Sequence, residues 1–113
     1  MDITIGLNTG NEGEKIVSKT KKISGEIEAI ILKFEGFPID LKIVSELGYT
    51  LLDIKKFQHK EGNTTYFPLQ VQGIDNEGHG ANYSNAKYYL NETLGIRIAG
   101  PKNQEVEIII RHG

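Results

Sequence analysis

The sequence predicts an all-β protein: a single-domain antiparallel β-sandwich of about eight strands, with jelly-roll or immunoglobulin-like topology. Three observations predict this fold class. Isoleucine dominates the apolar residues, with 16 among 113 positions, and β-branched side chains favour strands. Apolar and polar residues alternate with a period of two, and turn-forming residues interrupt this alternation about every ten positions. The length suits one domain, residues 1–113.

The predicted strands follow one another along the chain, and residues 1–22 form either a strand of the sandwich or an N-terminal arm. In the opening segment, Ile3, Ile5 and Leu7 alternate with polar residues or glycine. The same alternation predicts strands at 3–7, 15–19, 26–36, 39–44, 50–57, 66–74, 94–100 and 105–113. Four inward-facing positions are expected to be buried between two sheets: Ile43, Leu69, Ile96 and Ile108.

Two local features refine this pattern. Pro68 lies within a predicted strand, and because proline cannot donate to a sheet ladder, it predicts an edge strand or a nitrogen that faces away from the ladder. Residues 84–93 are a helix candidate, with Ser84 as its N-cap. The aromatic pair Tyr88 and Tyr89 and the nearness of the next strand favour a loop followed by a strand instead.

Composition and charge argue against nucleic acid and membranes as partners. The net charge of −2 and the isoelectric point near 5.9 give no electrostatic reason to bind nucleic acid or an anionic membrane. No segment approaches the ~20 apolar residues of a membrane helix. The opening MDITIGLNTG lacks the basic and apolar regions of a signal peptide, so we expect the protein to stay inside the producing cell or to leave by lysis.

The segment GIDNEGHG, which begins at Gly73, contains the residue types of a metal site. A calcium loop starting at Asp75 would need a bidentate glutamate at its twelfth position, where this chain has Ala86. The other two histidines are distant in sequence, so a transition-metal site lacks a second ligand. We therefore expect a polar hairpin loop over residues 73–84, without a functional metal, and no cofactor elsewhere.

Catalytic motifs are not found in the sequence. No G-x-S-x-G, P-loop or H-E-x-x-H pattern occurs, and without cysteine there is no thiol nucleophile. A carboxylate pair assembled from separate strands would be invisible at this level. The expectation is a protein that is not an enzyme and has no catalytic residues.

The candidate contact residues fall into two groups. Tyr83, Tyr88 and Tyr89 lie in an asparagine-rich region, where aromatic and amide side chains suit a protein contact, a sugar site or the structural capping of a sandwich end. Ile109 is apolar on the strand face opposite Ile108 and Ile110. A two-layer sandwich covers only one face of each sheet, so Ile109 predicts a further cover, by the N-terminal arm or by another subunit.

The segment 26–34 is also apolar on both faces. Its alternation places Ile27, Ala29 and Ile31 on one face and three further apolar residues on the other: Ile30, Leu32 and Phe34. A contiguous apolar patch on a soluble domain usually marks a contact surface. This segment therefore supports the expectation of a covered second face.

The later segments PIDLKIVSELGYTLL, TYFPLQVQGIDNEG, NAKYYLNETLGIRIAG and EVEIIIRHG, in that order, resemble small virion proteins of tailed phages over residues 24–113. These are β-sandwich proteins of capsid decoration, fibre or neck type. The resemblance implies a virion location, no catalytic residues, and partners among other virion proteins, capsid subunits above all, or further copies of the chain. We expect a capsid auxiliary protein, with a fibre, neck or tail component and a carbohydrate-binding module as the alternatives.

Overall fold

The computed structural model describes the backbone of residues 1–10, 16–69, 72–74, 80–82 and 88–113, and the side chains of residues 1–10, 18–69 and 91–113. Eleven strands occur in these ranges: β1 (Asp2–Asn8), β2 (Ile16–Lys19), β3 (Ile23–Phe34), β4 (Ile39–Ser45), β5 (Thr50–Phe57), β6 (Thr64–Pro68), β7 (Gln72–Ile74), β8 (Gly80–Asn82), β9 (Tyr88–Glu92), β10 (Leu94–Ala99) and β11 (Glu105–His112). No helix among the described residues is long and apolar enough to cross a membrane.

The strands form two principal antiparallel sheets. The first has the order β1-β11-β3-β6, with β9 pairing the other half of the same edge of β3. The second has the order β2-β10-β4-β5, and β7 and β8 form a separate hairpin. The predicted all-β sandwich is confirmed. Pro68 lies on the edge strand β6, as expected, and Tyr88–Glu92 is a strand rather than a helix.

The pairing of the strands is that of a jelly roll. The first strand pairs the last (β1 with β11), β2 pairs β10, β3 pairs β6, and β4 pairs β5. These four antiparallel pairs are nested in the sequence and alternate between the two sheets, as they do in an eight-stranded jelly roll. The hairpin β7-β8 and strand β9 are an insertion between β6 and β10. Of the two topologies predicted, the structure therefore has the jelly roll.

The core lies between the inner faces of the two sheets. Ile43, Ile96 and Ile108 are fully buried, and Leu69 is 6% exposed, so the predicted core positions are confirmed. The inner faces are built by alternate residues of β3, β4, β10 and β11. Partly buried side chains from edge strands complete the packing: Ile3, Ile5, Leu7, Leu52, Ile54, Phe57 and Phe67.

A β-bulge in β3 corrects the predicted faces of this strand. Arg111 pairs with Ala29 while the next residue, His112, pairs with Ile27, so Glu28 is an extra residue on β3. The strict alternation that placed Ile27 on the face opposite Ile30 is therefore wrong. Ile27 and Ile30 both contribute to the core. Only Ala29 and Ile31 remain as apolar residues on the other face of the described β3.

The N-terminal segment lies at the edge of the first sheet. Asp2–Asn8 pairs antiparallel with β11 along seven residues, from Asp2 opposite Arg111 to Asn8 opposite Glu105. Ile3, Ile5 and Leu7 point toward the core. Of the two covers considered for the second face, the N-terminal segment is therefore excluded, because β1 extends the sheet sideways instead of lying across it.

The turns at one end of the sandwich are joined by Gln104. Its backbone is bonded twice to Thr9: Thr9 N donates to the Gln104 carbonyl at 3.0 Å, and Gln104 N donates to the side-chain Oγ1 of Thr9 at 2.9 Å. The buried amide Nε2 of Gln104 donates to the carbonyl oxygens of Glu35 at 3.0 Å and Phe37 at 2.8 Å. These bonds hold the β3–β4 turn against the start of β11.

Candidate functional site

The predicted contact residue Ile109 lies near the middle of the outer face of the first sheet. The register places it between Thr4 of β1 and Ile31 of β3, and Ile31 is itself paired with Tyr66 of β6. Paired residues of antiparallel strands share a face. Thr4, Ile109, Ile31 and Tyr66 therefore form one cross-strand row, which we call the apolar row. Ile109 and Ile31 are half-buried, and Tyr66 is 51% exposed.

Two rows of more polar residues flank the apolar row. On one side are Gly6, Glu107, Lys33 and Thr64, and on the other are Asp2, Arg111, Ala29 and Pro68. We call these three rows together the outer face. Charged residues on both sides of a short apolar strip are the arrangement of a small contact surface, with a hydrophobic centre and a polar rim.

An ion pair orders one end of the outer face. Arg111 Nε donates to Asp2 Oδ1 at 3.1 Å, across the β1–β11 pairing. Its hydrogen bond with Arg111 lowers the pKa of the Asp2 carboxyl, and the same bond raises the pKa of Arg111. Both side chains are more than 40% exposed, so this pair orients the two charges and contributes little to stability.

An open groove of about 700 Å³ adjoins the other end of the outer face. Its lining includes Gly6, Lys33 and Glu107 from the outer face, together with Phe37 and the turn that follows β10. The ring of Phe37 is 68% exposed, although the Gln104 amide fixes its backbone. A Cβ at Gly6 would meet no atom within 4 Å, so the groove is open there. The groove extends the outer face with an exposed aromatic side chain.

His59 and His112, the two histidines that the structure describes, lie away from the outer face. His59 contacts Phe34 and Phe57, with ring centroids at 4.3 and 5.5 Å, and its Nδ1 hydrogen-bonds Thr65 Oγ1. Burial lowers the pKa of His59, and the backbone of Phe34 acts weakly against that shift. Both ring nitrogens of the buried His112 are without a hydrogen-bond partner in the described part of the chain. Among residues 1–10, 18–69 and 91–113, no three histidine or carboxylate side chains converge as metal ligands.

The other predicted contact residues are only partly covered by the structure. Tyr83 lies outside the described residues. Tyr88 and Tyr89 belong to β9, whose backbone pairs with Ile27 and Glu26, but their side chains lie outside the described ones. Their contact role stays a prediction. The backbone of the predicted loop at 73–84 includes the antiparallel hairpin β7-β8, which confirms the hairpin, while its predicted lack of a metal stays untested.

Sequence reasoning missed the neighbours of Ile109. Tyr66 follows the strand alternation with Phe67, which signals an outward side chain, but nothing local indicates that it lies beside Ile31. Phe37 carries no signal beyond its place in a turn. These neighbours depend on strand register, which joins residues far apart in the chain.

Comparison with known proteins gives no family. No protein-family model matches the chain, and no curated protein matches it. Among solved structures, the chain is similar to a chain in the structure of infectious bursal disease virus Gx strain, at 9% sequence identity and a TM-score of 0.30. The similarity covers 100% of this chain and 32% of that chain, so this chain spans about a third of its length. At this TM-score the likeness carries no functional argument.

Proposed function

We propose that this protein is a non-enzymatic structural component of a virion, a capsid auxiliary or decoration protein of the tailed-phage type that binds neighbouring capsid subunits. The observation that carries the proposal is the apolar row at the centre of the outer face. Ile109 and Ile31 lie on the side of the first sheet that the second sheet does not cover. A polar side chain at either position would suit a solvated face better.

The composition of the surface supports a protein partner. Isoleucine side chains at the centre of a patch exclude water from a contact, and tyrosine is enriched among the residues that dominate binding energies. The exposed rings of Tyr66 and Phe37 lie at two borders of the outer face. Aromatic side chains at such borders enlarge the contact area at a small cost in side-chain entropy.

The jelly roll supports the same class of function. This architecture occurs in viral capsid proteins, and it also occurs in lectins and cupins. Because one fold serves several functions, it supports the proposal only together with the outer face. A fibre, neck or tail component would use the same frame, and the position in the virion depends on the partner.

The mechanism is surface complementarity on a stiff frame. The four nested strand pairs fix the outer face, and the Gln104 hydrogen bonds fix the adjoining turns. Contacts that are individually weak become strong when many copies bind a repeating lattice, because each bound neighbour raises the effective concentration of the next contact. A small rigid domain with one contact face suits this mode of binding.

The test is incorporation into virions after a change at the centre of the apolar row. Ile109→Lys should leave the domain folded, since Ile109 lies outside the core cluster, and should abolish incorporation. Leu47→Lys is the matched control, because Leu47 is a 76% exposed apolar residue in the β4–β5 turn. An Ile109→Lys protein that folds and enters virions like the wild type would contradict the proposal.

A carbohydrate-binding module is the second candidate, and the groove favours it. Phe37, Asn63 and Thr64 line the groove and combine an aromatic ring with amide and hydroxyl groups, which suits stacking on a sugar and hydrogen bonding to it. A glycan array separates the two functions. Glycan binding that is lost in Phe37→Ala and kept in Ile109→Lys would favour the carbohydrate module.

A further inference from the structure

The charges along β11 form a self-complementary pattern. The last three of its four outward residues are Glu107, Ile109 and Arg111, so that an acidic and a basic group lie at equal distances on either side of an isoleucine. A strand with this pattern matches a second copy of itself in the antiparallel direction. Isologous interfaces need such self-complementarity, because the same patch forms both sides of the contact.

We infer that the outer face binds the outer face of a second copy of this chain, with a two-fold axis along the apolar row. In this arrangement each strand of the outer face lies antiparallel over its own copy. Ile109 then faces Ile109, Ile31 faces Ile31, and Tyr66 faces Tyr66. The inference rests on the proposed function and deepens it, because it names a second copy of this chain, in place of a capsid subunit, as the virion protein that this face binds.

The same two-fold symmetry places charged residues of one copy opposite oppositely charged or uncharged residues of the other. Arg111 of each copy lies opposite Glu107 of the other, which gives two equivalent ion pairs at the ends of β11. Lys33 lies opposite the buried Ala29, and Asp2 lies opposite Gly6, so within the three rows no like charges are placed directly opposite one another. The absence of a side chain at Gly6 leaves room for Asp2 of the other copy. Electrostatic complementarity of this kind fixes orientation and register.

The size of the patch sets the strength of the contact. Four strands spaced about 4.8 Å apart and five residues at about 3.4 Å each give roughly 19 by 17 Å, or about 320 Å². Stable complexes bury about 800 Å² on each partner, so this face alone gives a weak and reversible dimer. Such a contact dissociates in dilute solution and persists where many copies are held close together.

Charge-swapped variants and their mixture test this pairing. Glu107→Arg gives two basic groups along β11, and Arg111→Glu gives two acidic groups. Each variant alone places like charges opposite one another and should weaken the dimer by about tenfold or more. An equimolar mixture restores both opposite-charge pairs, so it should dimerise where the separate variants stay monomeric. Sedimentation velocity at protein concentrations up to about 1 mM covers the range of weak association.

Two controls keep the result interpretable. Thermal unfolding of each variant shows whether it is folded before its association is measured, and Leu47→Lys should dimerise like the wild type. The inference is overturned if the wild type stays monomeric at the highest concentration, or if the mixture associates no better than the separate variants. If the wild type enters virions but never dimerises, the inferred dimer is wrong and the proposed function is still supported. If the wild type dimerises but never enters virions, the proposed function is wrong.

Discussion

At the scale of single residues, stability depends on the isoleucines between the sheets. Ile43 and Ile108 are fully buried and belong to one core cluster. Truncating either to alanine removes three methyl or methylene groups and leaves a cavity, so the free energy of unfolding should fall by about 2–5 kcal/mol. Leu47→Ala, at an exposed position, should change it by less than about 0.5 kcal/mol. Urea denaturation measures both, and equal effects would contradict the assignment of the core.

His59 should make the stability depend on pH. Because burial holds the pKa of His59 in the folded protein below its ordinary value of 6.5, the unfolded chain takes up the proton first as the pH falls. The free energy of unfolding should therefore decrease as the pH is lowered through about 6.5, until the lower pKa of the folded protein is passed. Melting temperatures between pH 8 and pH 5 measure the dependence.

The matched variant for this effect is His59→Phe, which keeps a ring beside Phe34 and Phe57. It should lose the share of the pH dependence that comes from residue 59. His59 packs against residues of β3, β5 and β6. The charged residues next in sequence to His59 and to the residues it contacts are Lys33, Glu35, Lys56 and Lys60. A variant with the same pH profile as the wild type would show that His59 does not cause it.

Alanine substitutions at Gly25 and Gly6 compare a glycine whose backbone conformation requires it with a glycine on an open strand face. Gly25 in β3 has φ of +118°, and a Cβ there would overlap the carbonyl oxygen of Gly113. Gly25→Ala should therefore cost more than about 1 kcal/mol of stability, from strain and from displacement of the C-terminal residue. Gly6→Ala, which meets no atom within 4 Å, should be nearly neutral. Similar melting temperatures for the two variants would contradict the strain at Gly25.

At the scale of the strand, the bulge at Glu28 sets which residues of β3 face the core. Deleting Glu28 removes the extra residue, so Ile27 and Ile30 come to lie two positions apart and both keep facing the core under regular alternation. Deleting Lys33, a residue of the same strand that is paired without a bulge, should instead turn the buried Phe34 outward. The Lys33 deletion should therefore lower the free energy of unfolding by about 2–5 kcal/mol, and the Glu28 deletion should lower it less. Thermal unfolding followed by circular dichroism compares the two variants, and a Glu28 deletion that is the more destabilising would contradict the position of the bulge.

The strands themselves are largely predictable, but their bulges are not. Period-two alternation locates β4, β10 and β11 well, because each buries every second residue without interruption. In β3 the sequence offers apolar residues on both faces, and only the partner strand decides which side points inward. In β5, Lys56 adopts a positive φ of 49° and Asp40 Oδ1 accepts a hydrogen bond from its backbone N–H, which brings Phe57 to the inner face. Neither feature has a local sequence signal.

At the scale of the whole molecule, the jelly roll joins residues that are far apart in the chain. Asp2 and Arg111 meet because the first strand pairs the last, and the amino group of Met1 donates to the carbonyl of His112 at 2.8 Å. Alternation identifies each strand alone, so two sandwich topologies remain compatible with the sequence. Ile109 was predictable as an apolar residue on the outer face, because it breaks the alternation of its own strand. Its neighbours Ile31 and Tyr66 were not, since their alignment follows from the topology.

The central claim is that the outer face becomes buried on assembly, and the absence of cysteine from the chain makes it directly measurable. Ile109→Cys introduces a single thiol into the apolar row, and Leu47→Cys introduces one in an exposed turn. The rate of reaction with a maleimide is compared for each protein in dilute solution and in intact virions. We expect the thiol at position 109 to react readily in dilute solution and to be strongly protected in virions. The reaction rate of the thiol at position 47 is the control, because it measures how well the maleimide reaches an exposed position in each state. Equal reaction rates for position 109 in the two states would contradict the account.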